Sequence, residues 1–242
     1  MQLFRPATLV LGVLLLPFPA LAQEMNEERI KELTLEAIRE NPQIIMEAVQ
    51  ILEDERAAAQ AETGADVLKD QRQILEQDPN APVLGNPDGD VTVVEFFDYN
   101  CPYCRKAASA VEGLIEADPN VRLVYREWPI LSEGSIFAAK AALAAREQGK
   151  YNDLHWALME LDGPAAEASV LRVAEKIGLN IDKLRADMEA PDVQSHIDET
   201  MRLAQALGFN GTPSFVIGDN LVPGFVEQNQ LETLVNQARD SD

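Results

Sequence analysis

Only two cysteines and two histidines occur in the 242 residues of this chain, and that scarcity excludes most metal chemistry. A zinc site takes about four ligands. Cys101 and Cys104 offer two, while His155 and His196 stand in separate helical segments, read as partly exposed, with no second CxxC or HxxxH beside them. A disulfide framework is excluded by the same count. One bridge between Cys101 and Cys104 closes too short a loop to restrict the unfolded chain, so it is weak as a staple. Positive charge is also scarce: 20 lysines and arginines face 41 aspartates and glutamates, for a net charge of −21. That surface repels phosphate backbones and anionic headgroups, which sets nucleic acid and acidic membranes aside as partners. Beyond residue 22 no apolar run reaches the roughly 20 residues that span a bilayer. Repeats and low-complexity tracts are absent, the methionines are scattered as core fillers are, and no cofactor is expected.

What is present begins with MQLFRPATLVLGVLLLPFPALA. Arg5 precedes an apolar run that ends at Pro17 and Pro19, and small residues stand at Ala20 and Ala22. This is the layout of a cleaved export signal over residues 1–22. An uncleaved anchor is the alternative, which the two prolines disfavour. Export places the mature chain outside the cytoplasm, where cysteine pairs can be oxidised.

Residues 23–77 read as a helical arm and linker. Ile30, Leu33 and Ala37 share one helix face, Asn41-Pro42 stops that helix and starts another, and Ile45, Val49 and Leu52 continue a stripe at coiled-coil spacing. A thin arm cannot bury this stripe on itself. Either it lies back on the main domain or it pairs with copies of itself, making a homo-oligomer through residues 23–60. The polar stretch from Glu53 to Gln73, which separates the stripe from everything downstream, favours the second.

The segment DPNAPVLGNPDGD marks a boundary, and residues 78–242 form the main domain. VTVVEFFDY reads as a strand covered on both faces, CPYCRKAASAVEGLIEA as a helix with Pro102 in its first turn, and VRLVYREWP as a second strand. Strand, helix and strand at these lengths predict a parallel pair with a right-handed crossover. Helical spacing then runs over about 134–208, through Ile136, Ala139 and Leu143 and later Ile197, Met201 and Ala204. SFVIGDNLVPGF follows as a hairpin turning at residues 218–220, and QNQLETLVNQAR as a closing amphipathic helix. The class is α/β.

The chemistry lies in FDYNCPYCRKA. Cys101 stands where a strand ends and a helix begins, and the free amides and positive dipole end of that helix favour a thiolate. Its pKa is expected to fall from about 8.5 into the range of about 3.5 to 7.5. Cys101 is then the attacking and leaving sulfur, and Cys104, a turn inside the helix and more covered, resolves the mixed disulfide. Arg105 either adds positive field or sits on a solvated helix face.

A strand ending in EFFDYNCPYC, a long helical insertion, GTPSFVIGD and a final amphipathic helix together resemble the DsbA-like branch of the thioredoxin superfamily, across residues 83–240. The resemblance implies a thioredoxin fold with a helical insertion, here preceded by an N-terminal helical oligomerisation arm. It also implies that Pro213 is a cis-proline whose peptide sets Thr212 beside the cysteines, with Thr212, Pro213, Pro102 and Tyr103 facing an extended substrate. Glu95 is similar to the family's buried acid that takes the proton of Cys104; a solvent-facing strand glutamate is the alternative. The threonine at 212 and the arm resemble the oligomeric suppressor-of-copper-sensitivity C (ScsC-like) proteins more than monomeric oxidases. That implies a periplasmic disulfide isomerase acting on misoxidised exported proteins and kept reduced by a DsbD-like membrane partner. A dithiol oxidase recharged by a DsbB-like quinone-linked partner is the second reading. A third is a copper(I)-binding protein, since soft thiolates select that ion.

Overall fold

The computed structural model of the chain describes residues 27–241. The export signal expected over residues 1–22, and the start of the arm, lie outside them. The chain divides into two compact units, with the border between Glu53 and Asp54.

In the first unit, helix α1 (Glu27–Glu40) ends just before Pro42, and helix α2 (Gln43–Gln77) starts just after it. Proline has no amide hydrogen to continue the first ladder but suits the start of the second. No side chain between residues 27 and 52 is buried, and the stripe residues Ile30, Leu33, Ile45, Val49 and Leu52 are all exposed.

The second unit opens inside α2. Spacing reads Glu53–Gln73 as a polar separator, yet the helix runs through it and buries Leu68 and Leu75 against Val94, Phe96, Val216 and Phe209. Two leucines seven residues apart lie on one helix face and suffice for a narrow seam. Gly64 allows the close approach, since a Cβ there would meet Leu221 Cδ1 at 2.5 Å. The last carbonyls of a helix lack intrahelical partners, and arginines supply them here. Arg122 donates to Glu76 O, and Arg126 donates to Ile74 O, to Leu75 O and to the Asp78 carboxylate, the last at 2.6 Å.

The sheet is built on β2 (Val91–Phe97), paired in parallel with β3 (Val121–Glu127) through the crossover helix α3 (Pro102–Ala117). A short strand β1 (Val83–Gly85), inside the segment read as a boundary, pairs antiparallel with β3. On the other side β4 (Ser214–Ile217) runs antiparallel to β2 and turns into β5 (Asn220–Pro223), giving the order β1-β3-β2-β4-β5. The insertion between β3 and β4 comprises α4 (Glu133–Ala144), α5 (Tyr151–Met159), α6 (Glu167–Lys176), α7 (Ile181–Asp187) and α8 (Pro191–Ala206). Helix α9 (Gln228–Ser241) closes the domain. This is the mixed α/β thioredoxin fold expected from the sequence. Val91, Val93, Phe97, Leu123 and Tyr125 share the larger apolar cluster on one sheet face, and the α2 seam covers the other.

Four expectations of exposure are corrected. His155 and His196 are both buried, 0% and 1% exposed, because the helical turns that carry them face the core. His155 lies among the rings of Phe97, Tyr99, Tyr125 and Trp156, while His196 Nε2 accepts the Glu127 amide at 3.2 Å. Conversely, Ile136 and Met201, which spacing puts on apolar helix faces, are nearly half exposed.

Candidate active site

β2 ends at Phe97, and the next four residues form a loop whose shape is fixed by part-buried hydrogen bonds. Asp98 Oδ1 accepts the Asn100 amide at 2.7 Å, while its Oδ2 accepts the amides of Ile130 and Leu131 at 2.9 and 3.0 Å. The Asn100 side chain accepts the Ala165 amide at 2.7 Å and donates to Ala165 O at 3.0 Å. Arg105 is half-buried rather than lying on a freely solvated helix face. Its guanidinium donates to Tyr99 O, Leu161 O and Gly163 O at 2.8 to 2.9 Å, tying the loop to the insertion. The motif thus sits in a frame built from residues distant in sequence.

Cys101 occupies the N-cap position of α3, with extended backbone angles, and Pro102 follows in the first turn. Both thiols are free; Cys101 is 5% exposed and Cys104 is fully buried, with Tyr103 exposed between them. Across the loop, the Thr212–Pro213 peptide is cis, and Thr212 O accepts a hydrogen bond from Cys101 Sγ at 3.2 Å. The Pro213 carbonyl is engaged by the Gly224 amide at 2.9 Å. Glu95, 1% exposed, projects from β2 into the apolar face beneath α3, and its Oε1 has no partner. The structure therefore brings Cys101, Cys104, Glu95, Thr212 and Pro213 together, with Pro102 and Tyr103 at the mouth.

The two sulfurs ionise very differently. A hydrogen bond from the Cys104 thiol is the main influence holding the Cys101 pKa down, to about 5. Burial opposes it, and the Thr212 side chain and the amides of Cys104 and Tyr103 add to it. Thr212 thus acts on both forms: its carbonyl accepts from the thiol, and its side chain favours the thiolate. Burial pushes Cys104 far up, and its bond to Cys101 and the nearby Glu95 carboxyl push it further. Burial, and then the Cys101 charge, raise Glu95 to about 8. At neutral pH this arrangement holds one nucleophilic sulfur, one sulfur kept protonated, and an acid able to exchange the proton of the second.

Sequence reasoning missed Asp98, Asn100, Tyr99, Tyr125 and Glu127, all of which shape this region. The signal was present in two places: an Asp and an Asn just before a helix start, and a Tyr-Arg-Glu run within an otherwise apolar strand. Among the described residues no three His, Cys, Asp or Glu side chains are grouped to hold a metal ion.

The model of the DSBA-like thioredoxin domain family matches residues 92–236. A crystal structure of a thioredoxin-like oxidoreductase from Silicibacter pomeroyi shares 67% identity, covers 71% of this chain and 99% of that one, and superposes with a TM-score of 0.70. A linker-deletion variant of Proteus mirabilis ScsC is 25% identical, with a TM-score of 0.70, over 91% of this chain and 100% of that one. Disulfide bond formation protein D of Bacillus subtilis is 25% identical over 73% of this chain and 83% of that protein. The first curated relatives are Na(+)/H(+) antiporters of Salinispora, of whose length the chain spans only 21% and 24%.

Proposed function

The chain belongs to the DSBA-like thioredoxin domain family, and from that premise we propose that it is a periplasmic protein disulfide isomerase working through Cys101 and Cys104. The observation that carries the exchange chemistry is the Cys101 sulfur at the mouth of α3, 3.2 Å from Thr212 O. The Cys101 thiolate attacks a client disulfide and the first client thiolate departs. Formation of the mixed disulfide removes the Cys101 charge that helps keep Glu95 protonated; the Glu95 carboxylate then takes the proton of Cys104 as its sulfur attacks Cys101 Sγ and the client sulfur departs, unless another client thiol does so first and leaves a reshuffled bridge. Thr212, Pro213, Pro102 and Tyr103 line the approach. Residues 1–22 act as the export signal, exported proteins are the clients, and a DsbD-like membrane protein returns the pair to the reduced state.

Isomerisation is favoured over simple oxidation by the arm. Its unburied apolar stripe from Ile30 to Leu52 suits pairing with further copies through residues 23–60. An assembly with several active sites holds one misfolded client at high effective concentration. The Cys101 pKa of about 5 lies between the values of about 7 and about 3.5 found for a reducing and a strongly oxidising member of this superfamily. That same thiolate stabilisation supports the second reading, a dithiol oxidase recharged by a DsbB-like partner, because a stabilised reduced form makes the disulfide an oxidant.

Scrambled ribonuclease distinguishes them. The intact protein should restore its activity, and the double substitution Ile45→Glu and Val49→Glu should lower both the mass in solution and the rescue. Equal rescue by a monomeric double variant rejects the role of the arm. A monomeric wild type favours the oxidase.

A further inference from the structure

Asparagine followed by glycine is a weak point in any chain, because a glycine nitrogen has no neighbouring Cβ to keep it from the asparagine carboxamide. The chain holds one such pair, Asn210-Gly211, and it directly precedes Thr212. Asn210 is exposed and lies in irregular backbone between α8 and β4. Among the described residues no group pairs with its side chain or with the Gly211 amide. A Cβ added to Gly211 would meet no atom within 4 Å, so the space a closing ring needs is open. The acidic counterpart Asp88-Gly89 is shut by comparison: the Gly89 amide donates to Asn86 O at 3.0 Å, and a Cβ there would meet Asn120 O at 2.4 Å.

The pair is strung between two fixed points. Upstream, Phe209 is buried with Leu68 and Leu75 of α2, and its amide donates to Ala204 O at 2.9 Å. Downstream, Gly211 O accepts the Ser214 hydroxyl at 2.8 Å, and Pro213 O accepts the Gly224 amide at 2.9 Å. An atom added to the backbone between Phe209 and Pro213 is therefore taken up at Gly211 and Thr212. Thr212 is the residue whose carbonyl meets Cys101 Sγ at 3.2 Å.

We propose that Asn210 is a site of spontaneous deamidation, and that its conversion to isoaspartate displaces Thr212 and so weakens the Cys101 nucleophile. The effect on catalysis rests on the exchange reading given above. The Gly211 nitrogen gives its proton to solvent and bonds to Cγ of Asn210. The bond from Cγ to the side-chain nitrogen breaks, and that nitrogen leaves as ammonia. Water then opens the cyclic imide at either carbonyl. Opening at the Cγ carbonyl leaves aspartate. Opening at the main-chain carbonyl leaves isoaspartate, whose backbone runs through the former side chain and is longer by one methylene. Nothing is oxidised or reduced. Both products place a carboxylate on the order of 10 Å from the sulfur, since two residues span at most about 7 Å. Across water that charge raises the Cys101 midpoint by about 0.3 of a pH unit. The longer backbone adds the loss of the Thr212 contacts, which acts in the same direction.

Ageing the full chain in warm, mildly alkaline buffer, followed by peptide mapping with fragmentation, tests the site. The mass increment of an amide turned into an acid should build up at Asn210, with isoaspartate as the larger product by isoaspartyl methyltransferase labelling. Asn210→Gln should lose the increment. Gly211→Ala, whose Cβ has free space, should lose most of it. An Asn210 that stays intact while a free peptide of residues 208–213 converts in the same buffer overturns the proposal. Thiolate absorbance against pH, and stopped-flow attack on a fluorogenic peptide disulfide, read the consequence. The isoaspartyl protein, separated by ion exchange, should titrate at Cys101 about 1 pH unit higher than fresh protein. Its attack should slow by about tenfold or more, the scale of a misplaced positioning group. Asn210→Asp, which carries the charge without the longer backbone, should shift the midpoint by only about 0.3 and keep the attack rate. An isoaspartyl protein that titrates and attacks as fresh protein does overturns the link to Thr212. Fresh wild type that fails to attack the peptide rejects the exchange reading instead, a failure that the mapping of Asn210 does not share.

Discussion

The Cys101 sulfur and the Thr212 carbonyl oxygen, 111 residues apart in sequence, lie 3.2 Å apart in the fold. The contact joins the strand–helix junction at the end of β2 to the loop that enters β4, and both strands lie side by side in the sheet. Any extended chain that reaches Cys101 meets Thr212 as well. Thr212 therefore has two effects on the sulfur, through the carbonyl that accepts from the thiol and through the side chain that favours the thiolate.

Replacing Thr212 by valine keeps the carbonyl and removes the side-chain hydrogen bond, one of the influences that lower the Cys101 pKa. The pKa should rise, by about 0.5 to 1 unit for one modest hydrogen bond. Thiolate absorbance near the ultraviolet edge, followed against pH in the reduced protein, measures the shift directly. An unchanged midpoint would assign the thiolate entirely to Cys104 and the α3 amides.

The depressed Cys101 pKa also makes the stability of the reduced protein depend on pH. Ionisation is easier in the folded state than in the unfolded chain, where a cysteine titrates near 8.5. The contribution is therefore complete above about pH 8.5 and shrinks as pH falls, vanishing near the folded value of about 5. Urea melts of reduced wild type and Cys101→Ser should differ most at pH 8.5 and least at pH 5. A gap that stays constant with pH would contradict the assigned thiolate.

Much of this arrangement was legible in the sequence because its signals are local or periodic. The apolar run of β2, Pro102 at the start of α3, and the Cys101–Cys104 spacing each state their own structure. Thr212 and Pro213 were placed beside the cysteines only through family resemblance, since nothing local says which loop returns to which helix. Asp98 and Asn100 show only as polar residues before a helix start, and the frame they build with Arg105 was not legible, because its partners Ile130, Leu161 and Ala165 are fixed by tertiary packing. The burial of His155 was hidden for a similar reason: helical period shows which residues share a face, but a polar ring does not announce that its face is the core.

Glu95→Gln isolates the proton acceptor from the nucleophile. Attack by Cys101 should persist, while resolution by Cys104 should slow by about 100-fold or more, as expected for loss of a positioned base, and the mixed disulfide should accumulate on gels. Folding stability should not fall, since the carboxyl is buried with an unpaired oxygen. Resolution at the wild-type rate would show that water reaches Cys104 directly.

The C-terminal turns of α2 should prove to be part of the catalytic domain's own core. Leu75 is fully buried against the face of the sheet opposite Glu95, so Leu75→Ala should cost about 2 to 5 kcal/mol. Arg126 has no exposed surface and meets Asp78 at 2.6 Å. Asp78→Ala leaves that cation buried with only the helix-end carbonyls, at a cost of about 3 to 5 kcal/mol. Substituting both Arg126 and Asp78 by apolar residues should recover much of the loss, because the desolvation penalty disappears with the pair. Denaturant melts of these variants, with thiolate absorbance as a local probe, separate two outcomes. Cooperative loss of the thiolate signal together with the helical signal places α2 within the folding unit of the active site. A helical signal that melts first, with the thiolate intact, would make it a detachable attachment.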